Sequence, residues 1–565
     1  MGAALALTIG LLPLAAGTAA QAEESSFSAA AEAKLVDAVP TPKLDWYRCL
    51  DIAECVTVKV PRDYDHPKGK KVELALLRIK ARDQKHRIGS LFVNPGGPGG
   101  QATALAYFSS DVFSPQVLDR FDIVGMDPRG VGFSDNVTCL SLRRQADALA
   151  GYGPAFPLGA QQEKAWIASD KALGKGCSND ALAKSMSTAE VARDMELMRR
   201  AVGDKQLTYL GFSYGSYLGQ VYANMFPDRF RAVVVDGVLD PVAWAGNKAN
   251  AAQPLEQRLN AGSGAYKALR EILVRCDRVG GGTCAFAAGD PLANLRVIAD
   301  RLRAHPLVFE DEFGQYTFSY QDMVATMLSM LYDAGGYEPL VGMLADLWVL
   351  TEPPNPSART ADGPRAEAAK DLGQVVRSDQ GGRPRWGFPY DNFQDTLAAV
   401  TCTDSRESTK SAQFPAFAAQ AEQRSPYFGR AWLWTTSVCA SDAFPGEDED
   451  AYRGPFDTKT KAPVLYVGDY YDPATNYAGA VSAARRMPNS RLLSSDSFGH
   501  TAYGTSSCVT DAVDAYLLKG ALPAVGKVCV GDVQPFAAEE EDLRADAQRQ
   551  QALTRPLDGL THSHR

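Results

Sequence analysis

Ser213 stands between two glycines in Gly211-Phe212-Ser213-Tyr214-Gly215, a spacing that suits a nucleophilic hydroxyl. The residues before it, QLTYL from Gln206, read as a buried strand, and SYLGQVYAN up to Asn224 carries apolar residues at helical spacing. A strand that turns at once into a helix leaves no room for side chains beside the turn, so glycine is needed on both sides. The serine is held in a strained conformation that exposes its hydroxyl at a helix N-terminus, where the Tyr214 amide can face a developing oxyanion. In a chain with 49 glycines the pentapeptide alone is weak, and the strand and helix around it carry the reading.

Such a hydroxyl needs a base, and the base an orienting acid. Of the six histidines, His66 falls in a hairpin turn, His86 in a basic loop, His305 among helical segments, and His562 and His564 in a charged tail. His500, in Phe498-Gly499-His500-Thr501-Ala502-Tyr503-Gly504, follows a late strand in a loop of small residues and is the expected base. For the acid, Asp472 in Asp469-Tyr470-Tyr471-Asp472-Pro473-Ala474-Thr475 is preferred, because Pro473 fixes a turn just beyond a strand end. Asp469 and Asp240 are weaker contenders. The chain order Ser213, Asp472, His500 is that of the α/β-hydrolase fold. The second oxyanion donor is expected from Pro95-Gly96-Gly97-Pro98-Gly99-Gly100, with the Gly97 amide chosen over Gly96. Arg129, in Asp127-Pro128-Arg129-Gly130, reads either as a brace on a carboxylate or as a surface cation.

These groups need a sheet to position them. Strands are expected at Cys55–Val60, Val72–Ala81, Ser90–Asn94, Phe121–Asp127, Ala232–Val235, Ala462–Gly468 and Ser490–Ser495, with Ser90–Asn94 a continuous apolar run suited to a fully buried parallel strand. AEVARDMELMRRAV, capped by Ser187 or Thr188, leads into the Ser213 strand, and another helix is expected near Cys508–Leu518. From about Val242 to Pro445 strand–helix alternation gives way to helical patterns, read as a cap over the sheet's carboxyl edge. The expected organisation is a signal peptide over 1–22, a pro-segment or linker over 23–43, the first part of the hydrolase core over 44–241, a helical cap over 242–445, the second part of the core over 446–535, and a polar tail over 536–565.

An apolar run from Ala3 to Ala20 followed by Ala20-Gln21-Ala22 has the form of a secretory signal cleaved after Ala22, without the usual preceding Lys or Arg. No later run is long and apolar enough to cross a bilayer, so no stable membrane association is expected. Ten cysteines fit an exported chain. Taken as sequence neighbours they pair Cys49 with Cys55, Cys139 with Cys177, Cys276 with Cys284, Cys402 with Cys439 and Cys508 with Cys529, though sequence leaves the connectivity open. With no C-x-x-C and no histidines at zinc spacing, neither metal nor other cofactor is expected. A net charge of -9 argues against a nucleic-acid partner.

GFSYGSYLGQVYANMFPDRF, VNPGGPGG, DPRGVGFSD, VVDGVLDP, YVGDYYDPAT and FGHTAYG together resemble the secreted bacterial tripeptidyl aminopeptidases, in the proline-iminopeptidase-like branch of the α/β-hydrolase serine peptidases. The resemblance spans roughly Leu44 to Pro535 and departs at Asn94, where many relatives carry histidine. It implies a triad of Ser213, Asp472 and His500, a helical cap, and release of tripeptides from free N-termini of peptides or proteins. An exopeptidase needs an acidic group at a fixed distance from the serine to pair with the substrate ammonium. Asp404, Glu310, Asp311 and Glu312 are the cap candidates. The rival readings are release of single residues or dipeptides, an esterase or lipase of the same fold, and a non-catalytic module that binds a wall polymer or a protein.

Overall fold

The central sheet follows from the apolar runs in order. The computed structural model describes residues 27–311, 314–352, 363–380, 390–446 and 448–537. The sheet strands before the cap are β1 (Tyr47–Cys49), β2 (Ala53–Pro61), β3 (Lys71–Ile79), β4 (Gly89–Asn94), β5 (Phe121–Met126), β6 (Leu207–Phe212) and β7 (Phe230–Asp236). A cap hairpin supplies β8 (Leu307–Asp311) and β9 (Gly314–Phe318), and the sheet resumes with β10 (Val464–Tyr471), β11 (Ser490–Phe498) and β12 (Val528–Val530). The order across the sheet is β1-β2-β3-β5-β4-β6-β7-β10-β11-β12. The first pairings, up to β3 with β5, are antiparallel and the rest parallel. Strands β4, β5 and β6 are buried along their whole length, as expected of parallel strands covered on both faces.

Glycines set the approach of the Ser213 helix to the sheet. A Cβ on Gly219 would lie 2.8 Å from both Tyr209 and Val235 side-chain carbons, and one on Gly211 would lie 2.3 Å from the Gly215 carbonyl oxygen. Bulk at either position would lift the helix Tyr214–Met225 off β6 and β7.

Two features of the fold bear on the expected organisation. Residues 29–37, expected as pro-segment or linker, form a helix docked on the body: Val36 is fully buried, Glu32 pairs with Arg193, and Asp37 pairs with Arg229. The helical layer expected over 242–445 also packs against earlier residues. The helix Ala160–Cys177 joins its apolar core, with Trp166 packing on Trp434, Phe156 on Tyr320, and Glu163 pairing with Arg430. Alternation of strand and helix marked where the cap leaves the sheet but could not show that an earlier helix crosses to it.

All five neighbour pairings of cysteines are disulfides: Cys49–Cys55, Cys139–Cys177, Cys276–Cys284, Cys402–Cys439 and Cys508–Cys529. Among the described residues the cluster with ligand atoms close enough for a metal is Cys139, Cys177 and Asp395, whose two sulfurs are spent on each other. No helix of the described residues is long and apolar enough to cross a membrane. The expected signal peptide and nearly all of the expected polar tail lie outside the described residues.

Candidate active site

Ser213 adopts φ 56°, ψ -123°, the left-handed side of backbone space that a residue with a Cβ occupies only under constraint. Its N–H donates to the Asp236 carbonyl at 2.9 Å. Beneath the turn, the Tyr209 hydroxyl donates to the Gly215 carbonyl at 2.8 Å. Gly96 closes against the other side, where a Cβ would lie 2.8 Å from Ser213 Cβ and 2.9 Å from Tyr214 N. The Gly96 N–H is taken by Asn94 Oδ1 at 2.9 Å, whereas the amides of Gly97 and Tyr214 make no hydrogen bond among the described residues. That leaves the two expected oxyanion donors free, and it gives Asn94, where many relatives were expected to carry histidine, the work of shaping this loop.

Asp472 and His500 meet. His500 Nδ1 lies 2.9 Å from Asp472 Oδ2, and the Asp472 carboxylate also accepts from the amides of Ala474 and Thr475 and from the Thr475 hydroxyl. Burial works to raise the Asp472 carboxyl, but the His500 charge and these donors hold it below its usual range. For His500 burial works downward and is outweighed by Asp472, so the imidazole is more basic than usual. The contact fixes the proton on Nδ1 and leaves Nε2 as the basic atom. Both halves of the site meet β7: the Asp236 carbonyl holds the Ser213 amide, and a Cβ on the next residue, Gly237, would lie 3.1 Å from His500 Cε1. No hydrogen bond joins Ser213 Oγ to His500 Nε2 among the described residues; such a contact commonly tightens only when substrate is bound.

The other contenders separate cleanly. Asp240 caps the helix Pro241–Ala245 through the amides of Val242 and Ala243. Asp469 is buried, and neither carboxylate oxygen has a partner. Arg129 is fully buried and braces the body below the site, pairing with Asp194 and Glu190 while donating to the carbonyls of Pro61 and Arg62.

Asp404 requires a correction. Its carboxylate is buried and accepts from the Thr188 amide at 2.7 Å, the Thr188 hydroxyl at 2.6 Å and Trp244 Nε1 at 3.0 Å. Because Thr188 gives its hydrogen to Asp404, the Tyr214 hydroxyl is the donor in the 2.5 Å contact with Thr188 Oγ1. Asp404 thus ties the returning cap helix Phe393–Asp404 to the residue after Ser213 and is not open to a substrate amine. Burial pushes it up to about 6. Glu310 and Asp311 fall in β8, paired with β9, while Glu312 lies outside the described residues, as do the side chains of the other two.

A cap carboxyl absent from the sequence candidates is Glu256, in the helix Leu255–Leu259. It is buried with Oε2 unpaired, and burial pushes it up to about 8 against the pull of Arg258. Together with Gln257 and Trp432, whose Oε1 and Nε1 are also unpaired, it lines a recess of about 10 Å³, room for one water-sized group. Tyr332 packs against the base. Its ring stands edge-on to the His500 imidazole at 5.1 Å, and its phenol is raised by burial and then by the charges of Asp472 and Glu256. In sequence Glu256 is one acid among many in a helical stretch, and only burial without a partner distinguishes it.

A ten-stranded, mostly parallel sheet, a serine in a strained strand-to-helix turn and an Asp–His pair at the ends of later strands define an α/β-hydrolase. Residues 89–257 match the alpha/beta hydrolase fold family model, and residues 425–529 match that of the TAP-like proteins. Over 501 residues the chain is 30% identical to the serine protease Hip1 of Mycobacterium tuberculosis, covering 84% of this chain and 87% of that one. It is 30% identical to a carboxylesterase B of M. tuberculosis, over 93% of this chain and 96% of that one, and 29% identical to a tripeptidyl aminopeptidase of Streptomyces coelicolor, over 87% of each. The chain belongs to the TAP-like family of α/β-hydrolases, a family of serine hydrolases and peptidases.

Proposed function

We propose that this protein is an exported serine aminopeptidase that releases tripeptides from free N-termini through an acyl-enzyme on Ser213. His500 Nε2 takes the Ser213 proton as Oγ attacks the scissile carbonyl, and the amides of Tyr214 and Gly97 receive the oxyanion. Asp472 holds the imidazolium. Collapse breaks the C–N bond, the imidazolium protonates the leaving amine, and water activated by the same imidazole releases the acyl group.

The observation that favours an exopeptidase is Glu256, a buried carboxyl whose Oε2 is unpaired in a small cap recess and whose charge acts on Tyr332, the ring packed on His500. An ammonium is the size of the group the recess admits, and Glu256 Oε2 with Gln257 Oε1 supplies acceptors for it. Trp432 Nε1 and the exposed Arg424 are the donors there, suited to a substrate carbonyl. Tripeptide length is drawn from the aminopeptidase relative, and export from the five disulfides and the leader-like N-terminus.

A panel of tripeptide, dipeptide and single-residue anilides, each free and N-acetylated, beside short-chain esters tests the reading. Fastest turnover of free tripeptide anilides is expected, with Glu256→Gln abolishing the preference over acetylated ones. The carboxylesterase relative makes esterase activity the rival, and esters cleaved with no free-amine preference would establish it. Absence of fluorophosphonate labelling at Ser213 would leave a binding module.

A further inference from the structure

Behind His500 lie three buried carboxylates, of which the reaction above uses one. Asp236 ends β7 and is fully buried. Its carbonyl holds the Ser213 amide at 2.9 Å, and its carboxylate accepts the amides of Ala502 at 3.1 Å and Tyr503 at 2.8 Å. Those amides follow His500 in a loop under strain: Gly499 has φ 97° and Thr501, a β-branched residue, φ 73°. A β-branched residue at positive φ persists only where its surroundings impose it. Asp236 is therefore a single residue gripping the nucleophile by its main chain and the base's loop by its side chain.

We propose that Asp236 is a positioning residue, a second carboxylate that holds the His500 loop in register with Ser213. The proposal rests on the reading of His500 as the base. Around Asp236 stand the Ala502 and Tyr503 amides, His500 itself, Asp472 after β10 and Asp469 on β10. Burial pushes the Asp236 carboxyl up to about 6 despite the two amides, and its charge is among the influences that raise His500. Asp469, with no donor to either oxygen, is pushed well up by burial and by Asp236 and Asp472. Of the three carboxyls it is the one with no donor to stabilise a charge. The developing imidazolium then faces two carboxylates, and Asp236 loses its charge, and much of its grip, as the pH falls through about 6.

The rate of fluorophosphonate labelling against pH, which needs no amine recognition, reads this directly. In the wild-type chain two protonations, of His500 and Asp236, are expected to shut labelling down, giving an acid limb that approaches a slope of 2. Asp236→Asn is expected to reduce the limb to a slope of 1 and shift it to lower pH. It should lower kcat on the tripeptide anilide about 10- to 100-fold, as misplacement of a reacting group does, with KM within about twofold. Asp469→Asn, at a carboxyl that holds neither the His500 loop nor Ser213, is expected to leave the limb, kcat and KM unchanged. A wild-type limb of slope 1 down to pH 4 overturns the proposal even if Asp236→Asn does not fold. So does an Asp469→Asn variant that shifts the limb. Hydrolysis that survives Ser213→Ala would instead sink the underlying reading, so the two failures are distinct.

Discussion

The main-chain N–H of His500 donates to the Tyr332 carbonyl at 2.9 Å, so the base is anchored to the cap as well as to the sheet. Tyr332 directly follows the cap helix Tyr320–Leu331. The cap and the Asp472–His500 pair thus share one hydrogen bond, and a shift of this part of the cap is transmitted to the imidazole.

Gly499 lies at that junction. Its φ is 97°, and a Cβ would lie 2.9 Å from the Ala334 amide nitrogen. Gly499→Ala is expected to lower kcat at least about tenfold, since a displaced base loses alignment faster than binding is lost. It should also reduce stability by about 1–3 kcal/mol through backbone strain. Steady-state kinetics beside a thermal melt check both, and an unaltered kcat would mean that the junction does not position His500.

Gly96 is the corresponding point on the nucleophile's side. With φ 94° and a virtual Cβ 2.5 Å from the Phe212 carbonyl oxygen, Gly96→Ala must push the glycine loop away from Ser213. Fluorophosphonate labelling is expected to slow at least about tenfold, because the Gly97 amide moves out of reach of the oxyanion. Labelling at the wild-type rate would place the second oxyanion donor elsewhere.

Asp404 and Glu256 should behave as opposites. Asp404→Asn replaces one acceptor oxygen by a donor against Thr188 and Trp244, at a cost of about 1–3 kcal/mol in stability. The preference for free over acetylated N-termini should not change. Glu256→Gln should fold normally and lose that preference. Chemical denaturation with the anilide pairs separates the two, and loss of preference in Asp404→Asn would restore it as the amine's partner.

Stability should fall as the pH rises from mildly acidic to mildly basic. Burial holds Asp170 at about 7, Glu256 at about 8, and Asp236 and Asp404 at about 6. In the unfolded chain such groups titrate near about 4, so across this window the folded chain binds more protons and loses stability as the pH climbs. His500 adds to the same side, since its folded value lies above 6.5 and its contribution is lost as the pH rises through that value. Asp472 and Asp442, both held low, act oppositely, their contributions disappearing as the pH falls below about 4. The melting temperature is expected to be highest near about pH 5. A steady rise from pH 5 to 8 would contradict these assignments.

The sequence by itself determined the strand order of chemistry: a glycine-flanked serine after one apolar run, an aspartate after another, and a histidine in a small-residue loop after a third. Apolar runs and glycines act locally, so the buried strands, the turn at Ser213 and the choice of Asp472 over Asp469 and Asp240 were legible along the chain. Tertiary structure alone decided which polar groups are paired. Asp404 and Glu256 are both acids in helical cap sequence, yet one is saturated by Thr188 and Trp244 while the other is left bare in a recess. Asp236 reads as the last residue of a strand until the fold brings Ser213 to its carbonyl and the His500 loop to its carboxylate. Pairing depends on partners some 160 to 270 residues away in the chain, as Trp244 is from Asp404 and Tyr503 from Asp236, and no local pattern encodes such a meeting.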